Sequence, residues 1–292
     1  MRNLKEIIKD AEKRGIALGH FNISDIGTLK AVAEAARELQ SPVIVGTSEG
    51  EREFIGVHEA VALVKSLRDE HEQEIFINAD HTHSFEKARE AVEAGYDAIL
   101  FDGAKLSFEE NIKETKKVVE YVKLKSVGQK AEILVEGELG YIGSSSEILK
   151  EIPRGAAMKT ADFTTPEEAA RFIKETSVDL LAPAVGNIHG MLENAPNPRL
   201  DIDRIKQIKK TAGAPLVLHG GSGVADEDFI MAIKAGISII HISTELRLAW
   251  RKGVEQGLRE KPEEVAPYKI MEDAVKAIKE IVIKKLKLFS EL

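Results

Sequence analysis

Residues 75–101 read IFINADHTHSFEKAREAVEAGYDAILF. The run 75–79 is short and apolar, as a strand covered on both faces would be. Residues 85–94 then space apolar side chains at a helical period, and Ala94-Gly95 supplies the glycine that a left-handed C-terminal cap requires. A second apolar run, 98–101, follows almost at once. The stretch is therefore a strand, helix, strand unit, and Asp80, His81 and His83 fall where its first strand ends.

The same alternation extends in both directions. Strands are expected at 16–21, 42–46, 75–79, 98–101, 133–137, 180–183, 215–218 and 237–242. Between them helices are expected at 26–39, 57–70, 85–94, 107–125, 166–176, 201–211 and 225–235. Eight strands alternating with helices through 292 residues predict an α/β protein, a (β/α)8 TIM barrel forming one domain over residues 1–292. Two further helices, from Glu245 and over 270–288, are expected outside it as C-terminal additions. The connection 139–164 is rich in Gly and Ser, and its length predicts a mobile functional segment.

Composition narrows the function. A formal charge of −8 without a basic block argues against nucleic acid or an anionic membrane as partner. The absence of cysteine excludes thiolate metal sites and cysteine nucleophiles, so any metal must sit on His, Asp or Glu. Residues 1–13 are charged throughout and no apolar run is long enough to span a bilayer, which predicts a cytoplasmic protein.

In barrels of this kind the chemistry sits at the C-terminal ends of the strands, and polar residues gather there: Asn22, Ser48, Asp80, His81, Asp102, Glu136, Glu138, Asn187, His189, His219 and His241 to Thr244. Of eight histidines, five follow strands. His81, His189 and His219 are the three expected to converge on one ion, since a catalytic zinc takes three protein ligands and keeps a position open. His81 and His83, two apart, would point to one side of a strand, an arrangement that also suits a metal-dependent hydrolase. His83 is expected to be a partner to the ligands or a helix-start residue in preference to a ligand. Gly220, Gly221 and Ser222 follow the seventh strand, and His241, Ser243 and Thr244 close the eighth, the common phosphate position in such barrels.

At these residues the chain resembles the class II ketose-bisphosphate aldolases over nearly its whole length. The likeness rests on Gly19-His20-Phe21-Asn22, Ala79-Asp80-His81-Thr82-His83-Ser84, Asp102-Gly103, Val135-Glu136-Gly137-Glu138-Leu139-Gly140, Phe163-Thr164-Thr165-Pro166-Glu167-Glu168-Ala169, Gly186-Asn187-Ile188-His189-Gly190, Leu218-His219-Gly220-Gly221-Ser222 and Thr244-Glu245-Leu246-Arg247, in order. The resemblance implies that His81, His189 and His219 bind a catalytic zinc, and that Asp102 and Glu138 line a second position, for the displaced zinc or another divalent or monovalent cation. It implies that Asp80 carries the proton of the aldehyde oxygen, with a raised affinity for that proton in a desolvated site. It further implies that Gly190, Gly220, Ser222 and Thr244 hold one phosphate while Asn22 and Ser48 hold the sugar or the other phosphate. The substrate would be a small phosphorylated sugar, fructose 1,6-bisphosphate first and tagatose bisphosphate or another phosphorylated ketose second, and the enzyme a homo-oligomer, dimer or tetramer. Strand 180–183 has no lysine for a Schiff base, in keeping with metal chemistry.

The chain also departs from the family. His241 stands where an asparagine is usual. The loop glutamate that takes the carbon-bound proton is one place late, at Glu147 behind Ser144-Ser145-Ser146. Met191-Leu192 replaces a lysine, with Arg199 expected to reach in, and Lys269 is the cation nearest to a missing arginine. These departures keep a non-catalytic homologue as a second reading.

Overall fold

The computed structural model describes residues 1–126, 132–144 and 146–290. Eight parallel strands close into a barrel: β1 (Leu18–Asn22), β2 (Val43–Thr47), β3 (Ile75–Thr82), β4 (Ala98–Phe101), β5 (Leu134–Leu139), β6 (Leu180–Pro183), β7 (Leu216–Leu218) and β8 (Ile237–Ile242). Each strand pairs with its sequence neighbours, and β8 pairs with β1 to close the ring. All eight expected strands are present. The largest difference is at β3, which runs on through Asp80 and His81 to Thr82 and so carries the site residues on the strand itself.

Two layers of apolar side chains hold the barrel. Leu18, Ile44, Phe76, Leu134, Val217 and Ile239 fill its interior, and a larger set lies between the strands and the surrounding helices. The interior layer is closed from below by a helix that the charged N-terminus had not suggested, Leu4–Arg14. Its Leu4, Ile7, Ile8 and Ala11 form one apolar stripe among the charges. Asn3 and Glu6 cap its start reciprocally. A second unanticipated helix, Glu49–Ile55, begins directly after β2 and buries Glu51 and Arg52.

The C-terminal helices Thr244–Glu260 and Glu272–Ser290 pack on each other outside the barrel, the latter also against helix Ile26–Glu38. The connection 139–164 is more ordered than its composition suggested. Ile142, Ala157 and Phe163 form a small core with Ala184, and Ile148–Leu149 pairs in parallel with Met191–Leu192; Ser145 lies outside the described residues. No helix among the described residues is long and apolar enough to cross a membrane.

Candidate metal centre

His81, at the end of β3, holds a backbone φ of 41°. That left-handed conformation is costly for a residue with a side chain and is kept where the surrounding structure demands it. The register between β3 and β4 shifts at the same point. His219 directly follows β7, and His189 sits in the turn after β6, its backbone N–H donating to Ile142 O at 2.9 Å. The three rings meet above the barrel: centroids are 4.7 Å apart for His81 and His189, 4.9 Å for His81 and His219, and 5.8 Å for His189 and His219. One nitrogen from each lies within 4.8 Å of the others.

Whether a metal fits is decided by the hydrogen bonds. His81 Nδ1 is 2.9 Å from Asp102 Oδ2, and His219 Nε2 is 2.8 Å from Glu136 Oε1. Each carboxylate fixes its ring by taking one N–H, which leaves the other nitrogen as a lone pair. Those nitrogens, His81 Nε2 and His219 Nδ1, are buried without a partner, as is His189 Nε2. Three unpartnered buried nitrogens on rings this close together suit the three protein ligands of a catalytic zinc that keeps one position open. His189 is held neutral, its pKa pushed well below the usual value by burial and then by His81 and His219.

Asp102, Glu138 and His81 form a second group able to hold a cation, with Glu138 Oε2 3.4 Å from His81 Nδ1. Burial, then the Asp102 charge, pushes the Glu138 pKa up. His83 joins no such group among the described residues. Its side chain is half exposed and its backbone N–H donates to Glu49 Oε1 at 2.9 Å just before helix Phe85–Ala94.

Asp80 is buried beside this centre, its Oδ1 3.8 Å from His81 Nε2 and 3.5 Å from His241 Nδ1. Asn22 Nδ2 donates to its Oδ2 at 2.8 Å. The sequence predicted a raised pKa from desolvation; the direction is the reverse. Burial does oppose ionisation, but His81, His241 and His20 outweigh it and hold Asp80 well below the carboxylate range.

Beside the three histidines, which also line it, a small recess is bounded by Gly190, Gly220, Ser222, His241, Ser243 and Thr244. Gly220 has φ 62°, and a Cβ there would lie 2.1 Å from Ile188 O, so glycine alone fits between the two loops. Ser222 Oγ accepts the N–H groups of Ser243 and Glu245, both at 3.2 Å, which ties the β7 loop to the start of helix Thr244–Glu260. The outer cavity, about 370 Å³, opens beside Asn22, Ser48, Asp80, His189, Glu147 and Arg247. Glu147 is exposed at its mouth. The residues expected from the sequence as catalytic, ligating or substrate-holding line these spaces or the metal groups, save Arg199 and Gly221, the latter donating its N–H to His241 O.

Arg199 does not reach in. It forms a two-pronged ion pair with Asp228 at 2.6 to 2.9 Å, and Lys269 is likewise spent on Glu264 at 3.0 Å. Four residues given no role from the sequence complete the site. Glu136 orients His219, and His20 stacks on His241. Glu51 accepts from Asn22, from Ser48 and from Arg247 Nη2 at 2.7 Å, while Arg247 Nη1 also reaches Ser146 O. The signal for Glu136 was its place two residues before Glu138 on one strand, which turns both side chains the same way.

A family model described as fructose-bisphosphate aldolase class-II matches residues 2–291. A Staphylococcus aureus (strain COL) protein named fructose-bisphosphate aldolase is 36% identical over 292 residues, covering 98% of this chain and 96% of its own. One of the same name from Geobacillus stearothermophilus is 35% identical over 290 residues with the same coverage. Among solved structures, the YdjI aldolase from Escherichia coli K12 superposes with a TM-score of 0.81 at 30% identity, covering 98% of this chain and 96% of that one.

Proposed function

The chain belongs to the class II fructose-bisphosphate aldolase family, a lyase family, and from that premise we propose that it cleaves and forms the central carbon–carbon bond of a ketose bisphosphate with the aid of zinc. Fructose 1,6-bisphosphate is the leading substrate, the one for which the relatives are named. The observation that carries the reading is the set of three unpartnered imidazole nitrogens of His81, His189 and His219 beside the buried carboxyl group of Asp80.

A zinc ion on those histidines supplies Lewis acidity toward the ketose carbonyl and its neighbouring hydroxyl. The chain's own residues do the rest. Gly190, Gly220, Ser222 and Thr244 would take the phosphate next to the carbonyl, where the glycines let the backbone come close and the start of helix Thr244–Glu260 favours negative charge. Asn22 and Ser48 hold the distal half. Asp80, kept as a carboxylate by the surrounding imidazoles, is in the right state to accept the proton of the sugar hydroxyl whose carbon becomes the aldehyde, and returns it in the condensing direction. Asn22 orients it through the 2.8 Å hydrogen bond. Glu147, at the mouth of the cavity, serves as the base for the carbon-bound proton of the ketone product. Asp102 and Glu138 provide the second cation position.

Cleavage of fructose and tagatose bisphosphates by purified protein, before and after exhaustive chelation and zinc return, tests the proposal. Activity on one or both that vanishes with chelation and recovers with zinc is expected, together with a loss of about 100-fold or more in Asp80→Ala. Cleavage that survives chelation, or no cleavage by the zinc-loaded protein, overturns it; the latter is what a non-catalytic homologue would give.

A further inference from the structure

We infer that His20, which is fully buried and lines neither cavity, is a positioning residue for the carbon–carbon bond chemistry and acts by fixing the ring of His241. The inference rests on the aldolase reading above. Closing the barrel pairs β1 with β8 so that His20 and His241 stand side by side. Their rings stack with centroids 3.4 Å apart and planes within 4°. His241 also meets His219, centroids 3.9 Å apart and planes tilted by 42°. Three imidazoles thus form a column that ends at a metal-ligand histidine.

Both ring nitrogens of His241 are buried without a hydrogen-bond partner, and the nearest carboxylate oxygen, Asp80 Oδ1, is 3.5 Å from Nδ1. A buried polar ring is ordinarily anchored by hydrogen bonds; here the long approach to Asp80 and packing against the neighbouring rings set the orientation. His20, in contrast, is anchored, with Nε2 3.2 Å from Asn78 Nδ2. Gly46 on β2 makes room for it: a Cβ there would lie 2.1 Å from His20 Cε1. The restraint therefore passes from Asn78 to His20, from His20 to His241, and from His241 to the recess it lines with Asp80 and His219.

A metal between the stacked rings is the competing use, since atoms of His20, Asp80 and His241 lie within 4.8 Å of one another. Parallel rings at this spacing send their lone pairs along parallel planes, which cannot meet at one ion with ordinary imidazole geometry. The unpaired nitrogens of His241 are instead available to a substrate hydroxyl in the recess. Without His20, a ring-sized space opens behind His241 and lets it turn away from Asp80.

The test is a double-mutant cycle in the zinc-loaded enzyme: His20→Ala, His241→Asn and the pair, with kcat, KM, bound zinc and thermal unfolding measured for each. His20→Ala is expected to lower kcat by about 10- to 100-fold, the scale of a misplaced group, with KM within about threefold and zinc content unchanged. In the His241→Asn background the same change should alter kcat by less than about twofold, because the ring it positions is gone. A kcat for His20→Ala near wild type, or an equal loss in both backgrounds, overturns the inference. Should His20→Ala not fold, His20→Asn enters the same cycle. An inactive wild type removes the aldolase reading and this inference together, whereas additive losses in an active enzyme remove this inference alone.

Discussion

Replacing Glu136 by Gln probes the metal centre through a residue that lines neither cavity. Glu136 Oε1 sits 2.8 Å from His219 Nε2, with side-chain exposures of 2% and 1%. The contact selects the tautomer: Nε2 carries the proton and donates, and Nδ1 is left for the proposed ion. It also raises the basicity of the ring. Burial draws the His219 pKa down, and Glu136 more than restores it, to above the ordinary value. Glutamine preserves size and can still accept through its amide oxygen, so the ring stays in place while the charge is lost. Outer partners of this kind are worth about 10- to 100-fold in metal affinity. Glu136→Gln belongs at the lower end, about 10-fold or roughly 1.4 kcal/mol. Glu136→Ala, which leaves Nε2 unpaired and the tautomer unselected, belongs near 100-fold. Competition for zinc between the metal-free protein and a chromogenic chelator at fixed neutral pH reads both numbers. If both variants bind zinc within about twofold of wild type, the carboxylate does not tune the ion and the assignment of His219 Nδ1 as ligand loses its basis.

Lys285→Met should destabilise the protein by about 3 kcal/mol in urea unfolding, because it strips the buried partner from Glu245, 3.0 Å away, whose carboxylate also accepts Gly223 N–H in the recess loop. A raised KM for the phosphorylated substrate should accompany it, and unchanged stability would contradict the buried pair. A third expectation concerns pH. Burial pushes His20 down to about 4 from 6.5, so on acidification the unfolded chain takes up a proton before the fold does. The stability that His20 contributes is complete above 6.5 and is lost as pH falls toward 4, by as much as about 3 kcal/mol. In zinc-free protein, His20→Gln should flatten that decline; an unaltered slope would show that His20 is not held neutral.

The parts of this molecule that were legible in the sequence are those governed by neighbours along the chain. A parallel strand covered on both faces must be a continuous apolar run, which is why all eight were found, and chemistry in such a barrel must come from strand ends, which is why His81, His189 and His219 stood out. The helix Leu4–Arg14 was legible too, through the Asn3 and Glu6 cap and the Leu4, Ile7, Ile8 spacing, but its dense charge concealed the stripe. Glu136 and His20 differ in kind. Nothing in the order of residues says that Glu136 on β5 faces His219 on β7, or that His20 and His241, 221 positions apart by their numbers, lie in register; barrel tilt and stagger decide that at closure. Arg199 shows the same from the other side, since its exclusion from the site depends on Asp228 across a loop. The three histidines proposed as metal ligands could therefore be read from the chain, whereas the groups that orient their rings exist as partners only once the last strand has met the first.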